Sequence, residues 1–159
     1  EYCGYGDLHS YLASRRKRKL PLPYSFITEL LLDIAYGMNF LHTAMPPILH
    51  RDLKSPNILL CSISPDENQL ENKFPQPRFR GSDSFVVAKV ADFGLSLRTG
   101  GGPVTERVVD NPMWLAPELL SKKPYSFASD VYAFGIIASE IFSLAPPFDG
   151  VDYKFGWEL

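Results

Sequence analysis

From Tyr24 to Ala44 the apolar residues Ile27, Leu31, Ile34, Met38 and Leu41 recur at intervals of 4, 3, 4 and 3. That period lays one apolar stripe along a long helix and obliges the chain to provide a core beneath it. The stretch ends at Met45-Pro46-Pro47, where proline cannot continue a helical ladder. The next segment is of a different kind. Residues His50 to Asn57 read HRDLKSPN and crowd a carboxylate, two cations, an imidazole and an amide into eight positions. Pro56 disfavours the helical conformation at Ser55, so these groups are not spread along a helix face. A loop of this composition reads as a site on a helical scaffold.

The remaining pattern is consistent with an α+β chain that is mostly helical. Residues 7–19 open on Asp7, an acidic N-cap candidate, and end in the run RRKRK, both favourable to a helix macrodipole. The segments ILL (58–60) and FVVAKVA (85–91) predict two short strands, a small two-stranded ribbon beside the octad. Between them, residues 61–84 are polar, of mixed charge and without period. They read as a long surface insertion of disordered type. APELLSK (116–122) predicts a short helix, and residues 126–144, apolar on most faces, predict a helix buried nearly all round.

Composition narrows the function classes. A net charge of −2 gives no global pull toward nucleic acid or an anionic membrane, and no apolar run is long enough to span a bilayer. The two cysteines, Cys3 and Cys61, lack any metal-ligand spacing. They argue against a disulfide framework and suit a reducing, cytoplasmic setting. The basic run 15–19 admits a nuclear-import or anionic-lipid reading, with a solvated helix end as the plainer one.

Within the octad, Asp52 is the candidate general base and Lys54 the cation that neutralises a transferring phosphoryl group. Asn57 offers an amide oxygen to a hard metal ion. Phosphoryl transfer requires these parts: positioning, charge neutralisation and a held Mg²⁺. Each residue alone has a bland reading as solvated surface. Their order in the chain does not. HRDLKSPN is followed by DFG at 92–94 and APE at 116–118. A chance match to the fixed letters of the octad alone has a probability on the order of 10⁻⁴, at ~5% per residue type.

On these motifs the sequence resembles the eukaryotic protein kinases, from the hinge through the middle of the large (C-terminal) lobe. The resemblance implies a partial kinase domain over 1–159, with hinge 1–6, catalytic loop 50–57, insertion 61–84 and activation segment 92–118. It implies that Asp52 accepts the substrate hydroxyl proton, that Lys54 contacts the γ-phosphate, and that Asn57 and Asp92 hold Mg²⁺. His50 and Phe93 look like members of the apolar spine, and Asp130 matches the acid that bonds the catalytic-loop backbone. In the hinge, EYCGYGDL implies that backbone groups of Glu1 and Cys3 meet adenine and that Asp7 reaches the ribose. A plain turn with an N-cap is the competing reading there. Leu59 matches the residue beneath adenine.

Lys54 resembles the serine/threonine pattern, and NPMWLAPE with DVYAFGI resembles the tyrosine-kinase-like group, which includes the Raf, mixed-lineage and Roco kinases. The implied cofactors are ATP and Mg²⁺, and the implied partners are proteins with Ser or Thr acceptors. Ser96, Thr99 and Thr105 lie where the family is switched by phosphorylation, and Arg51 is placed to pair such a phosphate. Two departures stand out: Asp110-Asn111 where the group commonly has Gly-Thr, and the long interval between Asn57 and Asp92. GGG (100–102) neither follows a strand nor opens a helix, so it reads as activation loop rather than phosphate cradle.

The chain opens on Glu1 rather than Met, and neither a Gly-rich loop nor a VAIK-type Lys occurs in it. The expectation is therefore a fragment that is inactive by itself. A kinase-like binding or scaffold module without catalysis is the alternative; the intact Asp52, Lys54, Asn57 and Asp92 favour an enzyme.

Overall fold

The computed structural model describes residues 3–63, 85–100, 104 and 112–150. Glu1, Thr105, the pair Asp110-Asn111 and most of the expected insertion, residues 64–84, lie outside the described residues.

Helix α1 (Leu8–Lys17) starts where the sequence predicts. The Asp7 carboxylate accepts the Ser10 N–H at 2.8 Å and the Ser10 hydroxyl at 2.7 Å, satisfying one of the amides that every helix start leaves open. At the other end the basic run is partly consumed by structure. Arg15 is buried and its guanidinium donates to the carbonyls of Leu20 and Pro21, while Arg16 pairs with Asp149 at 2.5 Å.

Helix α2 (Tyr24–His42) is the long periodic segment. It buries Phe26, Ile27, Leu30, Ile34, Met38 and Leu41 on one face. Leu30 and Ile34 are fully buried, each contributing about 1.5–3 kcal/mol relative to exposure. Over this face lies a two-stranded antiparallel ribbon of β2 (Ile58–Ile63) and β3 (Phe85–Val90), in register from Ile58 opposite Val90 to Ile63 opposite Phe85. Two features of α2 let β3 come close. A Cβ on Gly37 would sit 3.0 Å from Val90 Cγ2, and the Asp33 carboxylate accepts the Ala88 N–H at 3.1 Å. Strand β2 runs past the predicted end at Leu60. Cys61, Ser62 and Ile63, read from sequence as the start of an insertion, pair with Val87, Val86 and Phe85 because those partners continue the ladder.

A second ribbon, β1 (Ile48–Leu49) with β4 (Leu97–Arg98), brackets the octad and was not predicted; two residues per strand carry no readable period. Helix α3 (Pro117–Leu120) is the short helix of APELLSK. Helix α4 (Phe127–Ser143) is capped by Ser126, whose side chain meets the Ser129 N–H while Ser129 answers to the Ser126 N–H. It is not buried nearly all round. Ser129, Asp130, Ala133, Ile137, Glu140 and Ile141 are buried, whereas Val131 and Phe142 are 60% and 58% exposed. Apolar composition on every face misled the expectation, since among the described residues α2, the turn at 112–114 and the octad cover α4 while the side carrying Val131 and Phe142 is exposed. Among the described residues, no helix is long and apolar enough to cross a membrane.

One correction concerns the cysteines. Cys3 and Cys61 form a disulfide, against the expectation from their spacing. The segment before α1 is hydrogen-bonded onto β2, with Leu60 N–H donating to Gly6 C=O at 2.9 Å and Tyr5 N–H to Leu60 C=O at 3.3 Å. That tertiary contact closes a sequence separation of 58, which no spacing rule reads.

Candidate active site

The octad forms a turn between β1 and β2, and a buried acid from α4 sets its start. Asp130, 3% exposed, accepts the His50 N–H at 2.9 Å and the Arg51 N–H at 3.0 Å. His42, from the last turn of α2, lies with Nε2 2.9 Å from the same carboxylate. Those bonds hold Arg51 at φ 67°, a region a non-glycine residue rarely occupies without support. His50 is fully buried. Its Nε2 lies 3.1 Å from the Ala91 carbonyl, an acceptor only, so Nε2 carries the proton and Nδ1 accepts the Asp52 N–H at 3.4 Å. Burial pushes the His50 pKa down, against the opposing pull of Asp130, the Ala91 carbonyl, Asp52 and Asp92. His50 is thus a neutral strut that links the catalytic loop to the chain just before Asp92, not a proton carrier.

Three side chains predicted to act together converge. Lys54 Nζ is 2.7 Å from Asp52 Oδ2, and Asn57 Nδ2 donates to the Asp52 carbonyl at 2.9 Å and to Oδ2 at 3.0 Å. The Asp52 carboxylate therefore faces a cation and an amide at once, fixed on the loop that carries all three. Asp52 also lines a small cleft with Arg51, Trp114, Leu115, Tyr125 and Asp130, so the turn at 112–114 borders it.

The carboxylate and amide oxygens suit a hard divalent cation. Asn57 spends its NH₂ on Asp52, which leaves the amide oxygen as the acceptor end. The Asn57 carbonyl accepts the Ala91 N–H at 2.9 Å, tying β2 to the residue before Asp92. Asp92 is exposed at φ 62°, and its Oδ1 accepts the Gly94 N–H at 3.3 Å. Among the described residues, no group of three or more His, Cys, Asp or Glu is placed to hold a metal ion. Mg²⁺, which binds through one or two protein oxygens plus phosphate and water, fits such a sparse set; zinc does not. Phe93 packs its ring on His50, centroids 5.4 Å apart, and is itself 51% exposed.

The hinge residues divide. Asp7 is the N-cap of α1 and also bridges Leu59 of β2, so both sit at one edge of the ribbon. The Cys3 carbonyl accepts the Gly6 N–H at 3.2 Å, closing a turn with Gly6 at φ 73°. Among the regulatory candidates, Arg51 already donates from Nε to the Leu95 carbonyl at 2.6 Å and lies over Tyr125. Ser96 is half-buried, and its hydroxyl donates to the His50 carbonyl at 3.4 Å; Thr99 is buried, with its N–H on the Pro47 carbonyl.

Sequence reasoning missed four residues that the structure brings to the loop: His42, Ser55, Trp114 and Glu140. Glu140 Oε1 accepts the Ser55 hydroxyl at 2.7 Å, and Oε2 accepts the Trp114 indole N–H at 2.9 Å. A readable signal existed for Glu140, since an acid on the apolar face of a helix requires buried donors.

The family model for protein tyrosine and serine/threonine kinases matches residues 1–154. A probable serine/threonine-protein kinase of Dictyostelium discoideum, roco8, is 41% identical over 155 residues, covering 98% of this chain and 7% of that protein. Cyclic GMP-binding protein C of the same organism is 40% identical over 156 residues, covering 98% of this chain and 5% of its own length. The probable serine/threonine-protein kinase pats1 is 44% identical over 142 residues, covering 89% and 4%. The chain thus spans a small part of the relatives it matches.

Proposed function

The chain belongs to the protein tyrosine and serine/threonine kinase family, and on that ground we propose that it transfers the γ-phosphoryl group of ATP to Ser and Thr hydroxyls of protein substrates. The observation that carries the reading is the convergence of Lys54 and Asn57 on the Asp52 carboxylate. Asp52 receives the proton of the acceptor hydroxyl as its oxygen bonds to the γ-phosphorus and the bond from that phosphorus to the departing ADP oxygen breaks. Its partners keep the carboxylate aimed until the acceptor arrives. Lys54 is close enough to shift from Asp52 to the charge that builds on the transferring group. Asn57 and Asp92 supply oxygens for Mg²⁺, which when bound neutralises the phosphates. Leu59, Asp7 and the backbone at Cys3 would form the nucleotide side, Asp7 and Leu59 lying at one edge of the ribbon. The need for ATP supports a cytoplasmic site of action; the Cys3–Cys61 disulfide does not.

The acceptor class rests on Lys54 and on the names of the Dictyostelium relatives. Phosphorylation at Ser96 would place a dianion beside Arg51, which would then exchange the Leu95 carbonyl for phosphate.

The test is Asp52→Asn in the full-length protein, with turnover and Mg-nucleotide affinity measured together. Loss of ~10²–10⁴-fold in kcat with nucleotide binding nearly unchanged is expected, because the base acts on the acceptor and not on ATP. Undiminished turnover would remove Asp52 from the role. Predominant tyrosine labelling on a peptide array would overturn the acceptor class. Absence of transfer by the wild-type protein would favour a binding module.

A further inference from the structure

Helix α4 carries a second buried acid besides Asp130. Glu140 is 2% exposed, and each of its carboxylate oxygens has a donor: the Ser55 hydroxyl at 2.7 Å and the Trp114 indole N–H at 2.9 Å. His9 of α1 closes the group, with Nδ1 3.7 Å from Oε1 and 3.4 Å from the Ser55 hydroxyl oxygen. The two donors come from parts of the chain that must be aligned for transfer. Ser55 opens the single turn Ser55–Asn57, directly after Lys54. Trp114 closes the turn Pro112–Trp114 and lines the same cleft as Asp52.

Packing alone does not call for an acid here. Ile137 and Ile141, neighbours on the same face, are fully buried by apolar contact. A hydrophobic residue of similar size at 140 would fold as well or better, since a buried acid must recover its lost hydration. What an apolar residue would not do is hold two specified donors in one place. We propose that Glu140 is a positioning residue, which ties the second half of the catalytic loop, through Ser55, to the end of the activation segment, through Trp114. The assignment rests on the kinase reading for its consequence in catalysis, though not for the tie itself.

The consequence is a shared fixture. Asp52, Lys54 and Asn57 straddle Ser55, so a loop released at Ser55 lets the amide of Asn57 drift from the Asp52 carboxylate. The same release frees Trp114 at the border of the cleft that Asp52 lines. Misplacement on the scale of 1 Å costs on the order of 10²-fold in rate while leaving much of ground-state binding in place. The tie therefore acts on kcat more than on nucleotide affinity.

The chemistry also specifies which substitution should rescue it. In Glu140→Gln the amide oxygen accepts the Trp114 N–H and the amide NH₂ donates to the Ser55 oxygen, whose own proton turns to His9. Glu140→Ala offers neither bond.

The experiment compares Glu140→Ala, Glu140→Gln, Ser55→Ala and the double variant Ser55→Ala/Glu140→Ala in the full-length protein. It measures kcat, KM for a Ser/Thr peptide, nucleotide affinity, and amide exchange across residues 52–57 against the α2 core. Glu140→Ala should lose roughly 10–100-fold in kcat with nucleotide affinity changed far less, and its loop amides should exchange faster while those of α2 do not. Glu140→Gln should keep most of the wild-type rate, and the double variant should be little worse than Glu140→Ala, since Glu140→Ala already removes the bond that Ser55→Ala breaks. Gln as damaging as Ala, a wild-type kcat in Ser55→Ala, or fully additive losses would overturn the proposal. So would equal acceleration of exchange everywhere, which marks a fold defect only. If the wild-type protein transfers no phosphate, the kinase reading fails. The exchange data still decide the tie: faster exchange at 52–57 alone supports it, and unchanged exchange in Glu140→Ala overturns it.

Discussion

Replacing Asp130 should unfasten the start of the catalytic loop, and the size of the effect depends on what its carboxylate holds. Two backbone N–H groups, of His50 and Arg51, donate to it at 2.9 and 3.0 Å, and the carboxylate is 3% exposed. Asp130→Ala leaves both donors without an acceptor, at about 1–3 kcal/mol for each. The His50 amide is buried and bears the full penalty, whereas the part-buried Arg51 amide regains water, so about 3–4 kcal/mol is expected in all. His42 loses its partner as well, but its side chain is 18% exposed and water replaces the bond at small cost. In Asp130→Asn a single oxygen accepts one amide while the NH₂ group faces the other donor, so about 1–3 kcal/mol is expected. Arg51 at φ 67° adds to the consequence, because an unsupported left-handed residue relaxes toward commoner backbone and takes Asp52 with it. Urea unfolding of the two variants measures the cost, with Val131→Ala on the exposed side of the same helix as control, expected within about 0.5 kcal/mol of wild type. Amide exchange at residues 50 and 51 localises it. Should Asp130→Ala fail to fold, the Asn variant carries the test. A cost below about 1 kcal/mol for Ala, or equal costs for Ala and Asn, would refute the claim that two bonds of this acid fix the loop.

The His50 pKa is held below 6.5 by burial, so the unfolded chain binds more protons than the folded one as pH falls through the usual histidine range. Stability contributed at neutral pH should therefore decline below about pH 6.5, and His50→Phe should flatten that slope in urea titrations at several pH values; an unchanged slope would show that another group titrates. Glu140 acts oppositely: burial holds its carboxyl above 4.5, so its ionisation costs stability as pH rises through the raised value, and Glu140→Gln should remove that loss on the alkaline side. Two helix glycines should respond in opposite directions in thermal unfolding: Gly135, with nothing within 4 Å of a built Cβ, should gain about 0.5–1 kcal/mol as Ala, while Gly37→Leu should lose about 1–3 kcal/mol against Val90.

The helices and the central ribbon were readable because each is encoded locally. α2 announces itself by its 4-3-4-3 spacing and α1 by Asp7, and both begin within one residue of where the sequence places them. Asp52, Lys54 and Asn57 were readable because all lie in one loop of fixed letter order. The features that escaped have a common cause, since they depend on residues far apart in the chain. The partner of Cys3 lies at a separation of 58 and that of Ser55 at 85. The extent of α4's burial depends on which neighbours cover it, and Val131 is as apolar as its buried neighbour Ala133 though it faces out. The ribbon of β1 and β4 is invisible for a further reason: two residues form no period, and Ile48 and Leu49 meet Arg98 and Leu97 only across the octad and the central ribbon.

Seen from α4, the catalytic loop is held at two points by one rigid rod. Asp130 and Glu140 are ten residues apart, which in a helix rising 1.5 Å per residue is about 15 Å. Asp130 takes the amides of His50 and Arg51, and Glu140 takes the hydroxyl of Ser55, so the acid, cation and amide of the site hang between fixed ends. A rod enforces a distance that two loops could not, because its own hydrogen bonds resist stretching. This explains why a helix with a largely apolar buried face keeps two acids at the cost of desolvating both. It also separates their expected phenotypes. Loss of Asp130 releases a strained backbone and should appear first as lost stability, whereas loss of Glu140 releases side-chain ties and should appear first as lost turnover.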